Sequence, residues 1–245
     1  INVFLILRGE DMARILLKLS GEALAGSKGF GIDHMEVKRI AKEIKDLNDH
    51  GHQIAVVIGG GNIWRGEAGA KLGMDRSQAD YMGMMVTIMN SIAMQDALEQ
   101  LGCESRVQTS LQINQVAEPY IRRKAIRHME KDRVVFLAGG TGMPYFSTDT
   151  NAMVKAAELN CDLVLMAKNG VDGVYDKDPN ECSDAKRFDT LTYQQMIEEQ
   201  LRVMDLTAST MARENNLEVI VFNMNEEGNI FKAGNDQNIG TKISN

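Results

Sequence analysis

The chain has 245 residues, 44% hydrophobic and 25% charged, enough for one large α/β domain or two small ones around a substantial core. Its formal net charge of -7 argues against nucleic acid or an anionic membrane as the main partner, and leaves room for a local basic pocket. Cys103, Cys161 and Cys182 are far apart, odd in number and form no CxxC pair, which argues against a disulfide framework or a zinc knuckle and fits a reducing cytoplasm.

Residues 1–11 include a short apolar stretch that is too brief for a membrane span. The stretch also lacks the flanks of a signal peptide. Met12-Ala-Arg reads as the natural start, so residues 1–11 are expected to lie outside the fold. The first element is Arg14-Ile-Leu-Leu-Lys-Leu-Ser-Gly21, an aliphatic strand over 14–19 that ends in a Ser-Gly turn. A lysine inside such a run either meets a buried anion or snorkels from an edge strand. Taken alone, Lys18 fits both readings. The rest of the chain favours the anion, because other apolar strands also end in glycine turns with polar residues attached.

A glycine-rich loop, Gly26-Ser-Lys-Gly-Phe-Gly31, comes next. Asp33 then caps a helix whose Val37, Ile40, Ala41, Ile44 and Leu47 form an apolar stripe. A strand over 53–58 runs into Gly59-Gly-Gly-Asn62. A long helix over about 77–101 carries Met82, Met84, Met85, Met89 and Met94, read as core or subunit interface. Further strands are predicted at 106–109, 133–138, 163–167 and 219–222, and helices at 117–130, 150–160, 193–201 and 207–215. Strands alternating with helical crossovers predict a parallel sheet covered on both faces, with ligands beyond the carboxyl ends of the strands. The basic residues of 121–131 read as a solvated helix face. His34, His50, His52 and His128 have no HExxH spacing and read as surface or loop residues. Cys161, at a helix-to-strand junction, reads as a small buried thiol.

Three glycine turns follow three apolar strands: Ser20-Gly21, Gly59-Gly-Gly61 and Gly139-Gly-Thr-Gly142. Glycine lets backbone N–H groups approach a ligand, and Lys18 and Arg65 stand beside two of the turns, a pattern suited to more than one phosphate. The GxxxxGK[ST] phosphate loop, the dinucleotide fingerprint and the protein-kinase catalytic loop are all absent. Asp80, Asp149 and Asp205 are the candidate site carboxylates; for Asp149 and Asp205, helix capping is an equal alternative.

These motifs together resemble the bacterial uridylate (UMP) kinases of the amino acid kinase superfamily, from Arg14 to Ile243. The resemblance rests on Leu17-Lys-Leu-Ser-Gly-Glu-Ala-Leu24, Gly59-Gly-Gly-Asn-Ile-Trp-Arg-Gly66, Ala79-Asp-Tyr-Met-Gly-Met84, Gly140-Thr-Gly-Met-Pro-Tyr-Phe-Ser-Thr-Asp149, Asn169-Gly-Val-Asp-Gly-Val-Tyr-Asp-Lys-Asp-Pro179 and Val203-Met-Asp-Leu206. It implies a three-layer α/β/α sandwich with a mainly parallel sheet. It also implies a single domain over 12–245, its first half mainly for UMP and its second mainly for ATP.

By the same resemblance, Lys18, Leu19, Ser20, Gly21, Gly61 and Arg65 match the ATP-phosphate positions. Asn169, Tyr175 and Asp178 match positions around the adenosine. Gly60, Asp80, Thr141, Gly142, Met143, Pro144, Tyr145, Phe146, Ser147 and Thr148 match the UMP site, with Met143 standing where the family usually has Asn. Gly26, Ser27, Lys28, Gly29, Phe30 and Gly31 resemble the segment linked to activation by GTP. The implied enzyme is a cytoplasmic homohexamer of pyrimidine nucleotide biosynthesis that transfers phosphate from ATP to UMP, activated by GTP and inhibited by UTP. Its catalytic residues would be Lys18, Arg65, Asp149 and Asp205, with Asp149 orienting a cation or donor and Asp205 holding Lys18. No dedicated protein metal site is expected, and Mg²⁺ would arrive with ATP. UMP offers an ionised phosphate oxygen, so no general base is required. Acetylglutamate or aspartate kinases are the nearest alternative enzymes, and a non-catalytic relative of the molybdenum storage proteins is the alternative outside catalysis.

Overall fold

The computed structural model describes residues 12–179, 181, 182, 184–201, 203–235 and 237–245; the expected extension at 1–11 lies outside them. The chain begins with β1 (Arg14–Leu19), a 3-10 segment (Gly21–Lys28), α1 (His34–Asp49) and β2 (Gln53–Ile58). Next are α2 (Gly66–Lys71), α3 (Arg76–Gln100), β3 (Ser105–Thr109), β4 (Glu118–Pro119), α4 (Arg122–Met129), β5 (Val134–Ala138), α5 (Thr148–Leu159) and β6 (Leu163–Lys168). The last part holds β7 (Val174–Tyr175), β8 (Arg187–Phe188), β9 (Thr190–Thr192), α6 (Tyr193–Glu198), α7 (Leu206–Glu214), β10 (Val219–Asn223), α8 (Asn229–Gly234) and β11 (Thr241–Ser244).

Among the described residues, nine strands form one sheet in the order β4-β3-β5-β2-β1-β6-β10-β11-β9. Its pairs are parallel except β10 with β11. The central strands are buried on both faces, which is why they read as unbroken apolar runs. Alternate residues feed two cores. Ile15, Leu17 and Leu19 of β1 pack with α1, α3 and α8, while Leu16 packs on the other face with α4, α5, α6 and α7. The result is the expected three-layer arrangement with a mainly parallel sheet.

The chain passes from β1 to β2 on one side and returns, after β5, to place β6 on the other side of β1. β1 is therefore the point where the strand order reverses, the place where open α/β sheets bind ligands. An edge-strand role for Lys18 is ruled out, since β1 pairs along its length with both neighbours.

Several expectations need correction. Residues 117–121 are not helical: Glu118–Pro119 pairs with β3, and α4 starts at Arg122. Pro119 lacks the N–H a helix interior requires and biases Glu118 toward extended backbone. His52 and His128 are buried rather than on the surface. His52 Nδ1 accepts the Ala13 N–H, and His128 Nε2 lies 3.2 Å from a Glu118 carboxylate oxygen. Cys161 is only partly buried. The α3 methionines need no such correction: Met84 and Met94 are buried, as a core reading expects, and Met85 and Met89 are exposed on the single chain. The 26–31 segment is partly 3-10 helix, with Gly29 in the left-handed region closing it.

Candidate active site

The three glycine turns lie side by side, because β5, β2 and β1 are neighbours in the sheet. The turns of β1 and β2 are in contact: a Cβ on Gly21 would stand 2.3 Å from the Gly59 carbonyl oxygen. Together they floor a cleft of about 530 Å³ lined by Lys18, Ser20, Gly21, residues 59–61, Arg65, Asp80, Thr141 and residues 146–149 among others.

Helix α3 holds this floor in place. Asp80, Gly83, Thr87 and Asn90 recur at spacings of three and four, on one helical face. Thr87 Oγ1 accepts the Gly139 N–H at 2.8 Å, and Asn90 Nδ2 donates to the Gly59 carbonyl at 2.8 Å. A Cβ at Gly60 would meet the Gly83 carbonyl at 2.8 Å, so the second turn rests directly on the helix backbone. Asp80 accepts from Arg76 Nε at 2.9 and 3.0 Å and from the Tyr145 N–H at 2.9 Å, tying the loop after β5 to α3. Trp64 Nε1 donates to the Ala79 carbonyl and secures the chain between β2 and α2.

Lys18 points from β1 toward α5, on the same sheet face as Leu16. Its ammonium meets the Asp149 carboxylate at 2.7 Å, with both side chains largely buried. Burial works against ionisation of Asp149, but Lys18 and Lys168 outweigh it and hold the carboxyl below its ordinary range. Lys168 ends β6 beside β1, and Nζ donates to the Val203 carbonyl. Desolvation lowers its pKa; Asp149 opposes that shift and Lys18 adds to it.

A second cavity of about 460 Å³ opens next to the first. Lys168, Val174, Tyr175, Asp178, Leu201 and Val221 are among its walls. Its polar fittings include the Tyr175 hydroxyl, which donates to Asp172. The two cavities together run along the carboxyl ends of β5, β2, β1, β6 and β10, with the buried Lys18 and the partly buried Asp149 and Lys168 where they meet.

The profile of the Amino acid kinase family matches residues 13–223. The chain belongs to the amino acid kinase family. Its relatives place it with the uridylate kinases of that family. A protein named uridylate kinase from Limosilactobacillus reuteri (strain DSM 20016) is 60% identical over 230 residues, covering 94% of this chain and 96% of the relative. The crystal structure of UMP kinase from Bacillus anthracis superposes with a TM-score of 0.91 at 39% identity, covering 95% of this chain and 96% of the other. That of Ureaplasma parvum UMP kinase gives 0.91 at 35%, covering 96% and 99%.

Within this amino acid kinase fold, most residues singled out from sequence gather along the two cavities, and some do not. Leu19 is fully buried; its side chain joins the core, and its carbonyl accepts the Gly59 N–H. Gly142, Met143, Pro144 and Tyr145 are not among the residues lining the first cleft. Met143 and Tyr145 are exposed, and Met143 is fixed through backbone contacts with Thr141 Oγ1. Asn169 is bonded to Asn225 at the rim, outside the wall of the second cavity. Residues 26–31 do not line the cleft either, and connect to it through Asn62, whose side chain donates to the Gly31 carbonyl.

Asp149 orients a cation, as expected, and that cation is Lys18; Asp205 does not hold Lys18. The helix cap of α5 is Ser147, not Asp149. Asp205 caps α7 and accepts from the hydroxyls of Ser147 and Thr150, so it braces the start of α5. Lys168, which interacts with both Lys18 and Asp149, is not among the residues singled out from sequence. Its signal was available, since β6 repeats the β1 pattern of an aliphatic run with a lysine near its end.

Proposed function

We propose that this chain is a UMP kinase that transfers the γ-phosphate of ATP to UMP, giving ADP and UDP. The observation that carries the reading is the contact of neighbouring glycine turns beside a largely buried Lys18–Asp149 pair, in a chain 60% identical to a uridylate kinase. The first cleft suits UMP and the reacting phosphates, and the second suits the adenosine of ATP, near Tyr175 and Asp178.

The chemical difficulty is to bring two polyanions into line. Lys18 and Lys168 supply fixed positive charge at the join of the cavities, and Asp149 sets the Lys18 ammonium in place. Backbone N–H groups of the turns after β1 and β2 can approach the phosphates closely, because Gly21, Gly59, Gly60 and Gly61 carry no side chain of their own. The acceptor oxygen is already ionised, so the residues need only position it. Among the described residues no group of three His, Cys, Asp or Glu side chains could hold a metal ion. By the resemblance of the motifs, Mg²⁺ would arrive with ATP and would supply further positive charge against the phosphates.

Activation by GTP, with residues 26–31 as its segment, inhibition by UTP, a homohexameric assembly and a cytoplasmic place in pyrimidine nucleotide synthesis belong to the same proposal. They rest on the resemblance of the motifs. Among the described residues no helix is long and apolar enough to cross a membrane. The deciding experiment is an ADP-release assay with UMP, CMP, dUMP and acetylglutamate, with and without GTP or UTP. Turnover with UMP above the others is expected; turnover with acetylglutamate alone would replace this reading with carboxylate phosphorylation.

A further inference from the structure

Each cation lining the first cleft is matched by a carboxylate. Lys18 meets Asp149, Lys71 meets Glu67, Arg76 meets Asp80 and Arg65 meets Glu22. Three of these pairs have evident local reasons. Lys71 with Glu67 and Arg76 with Asp80 are one turn apart on their helices, and Lys18 with Asp149 is largely buried, where a lone charge would be costly.

The fourth pair is different. Glu22 follows the β1 turn and Arg65 follows the β2 turn, so their contact bridges the two proposed phosphate loops. The pair lies against Gly61: a Cβ built there would be 3.7 Å from Glu22 Oε1 and 3.8 Å from Arg65 Nε. Both side chains reach solvent, at 39% and 64% exposure, so either can swing without opening a core. A carboxylate thus stands on a guanidinium beside a glycine turn, an arrangement of the kind that a phosphate group also takes.

We infer that Glu22 is a positioning residue, the internal counter-ion of Arg65, which is exchanged for a substrate phosphate on binding. The inference rests on the phosphoryl-transfer reading of the cleft. Until that exchange, Glu22 keeps the guanidinium over the β2 turn. A phosphate group that carries two charges and offers several acceptor oxygens takes its place. The displaced carboxylate then stands near the bound anion and weakens its binding, which favours release of a charged product. Removing its charge should strengthen the binding of any ligand that bears phosphate and leave an uncharged nucleoside unaffected.

The test is isothermal titration calorimetry of the full chain and of Glu22→Gln with inorganic pyrophosphate, UMP and uridine, each repeated with Arg65→Met in the background. Pyrophosphate and UMP should bind Glu22→Gln about three- to fivefold tighter, the scale of one exposed ion pair. Uridine binding should be unchanged, and the gain should vanish with Arg65→Met. Equal or weaker pyrophosphate binding to Glu22→Gln overturns the inference. So does a gain that persists without Arg65, a gain that extends equally to uridine, or no pyrophosphate binding by either protein. Tighter pyrophosphate binding with no binding of UMP would instead refute the UMP reading and leave the exchange at Glu22 standing.

Discussion

Asn62 and Asn90 exchange two amide hydrogen bonds, 3.0 and 2.8 Å long, beneath the β2 turn. Their other amide protons go to the Gly31 and Gly59 carbonyls, each at 2.8 Å, and both side chains are buried. Asn90→Leu would strand the Asn62 amide and the Gly59 carbonyl together. It should lower stability by about 2–4 kcal/mol, read as a fall in the thermal or denaturant midpoint. An unchanged midpoint would mean that the pair is not holding the turn.

Lys18→Met should lower kcat by about 100-fold or more, the scale of losing one fixed charge at a developing phosphoryl centre. Circular dichroism should still report a folded protein. Near-normal turnover would remove Lys18 from the chemistry.

The acid and base limbs of the pH profile should have separate origins. The Asp149 carboxyl is held below its ordinary value, so its stabilising share is full above the unfolded value of 3.8 and disappears as pH falls through the folded value. In Lys18→Met that acid loss should begin at higher pH. Lys168 is shifted the other way relative to its charge, below 10.5, so the folded protein gives up that proton before the unfolded chain does. Stability from this group therefore rises with pH across that window, while the cation needed at the phosphates is lost. Turnover should decline on the alkaline side below pH 10.5, and Lys168→Arg should carry that decline to higher pH. A decline at the same pH in both proteins would assign it to another group.

Asp80→Asn should raise KM for UMP far more than KM for ATP. The substitution removes a charge that Arg76 pairs with and weakens the anchor of the Tyr145 N–H at the UMP side of the cleft. Steady-state kinetics with each nucleotide varied in turn will check this; equal increases would mark Asp80 as a structural brace.

Asp205→Ala should act mainly on stability. It deletes the α7 cap and the acceptor for Ser147 and Thr150, a loss of about 1–3 kcal/mol. Its kcat should fall much less than that of Asp149→Ala. A kcat loss as large as that variant's, with an unchanged melting midpoint, would return Asp205 to the catalytic set.

How much was legible beforehand depended on burial and length. β1, β2, β5, β6 and β10 were readable because central parallel strands are aliphatic on both faces. β7, β8 and α2 were not, since two to six residues cannot display a period. The polar face of α3 was hidden among its methionines, although the spacing from Asp80 to Asn90 is helical. Lys18 was found because it interrupts an aliphatic run. Lys168 was not, because it ends one and leads into Asn-Gly, where a lysine excites no suspicion. Joining the two required knowing that β6 lies against β1, a fact of topology that no local pattern contains. The same limit misplaced the partner of Lys18 at Asp205: both aspartates precede or open helices, and only the packing of α5 against β1 tells which carboxylate reaches the lysine.

The place of β1 between β2 and β6 also bears on how the chain is made. β2 follows within the same stretch of sequence, whereas β6 is synthesised only after more than half of the chain has emerged. For that interval one edge of a strongly aliphatic strand has no native partner, the condition under which nascent chains pair with one another. Lys18 is the charge inside that strand. A charge within an aliphatic run is the feature that sets such strands against aggregation, so a neutral residue at Lys18 is expected to burden the newborn protein as well as the finished one.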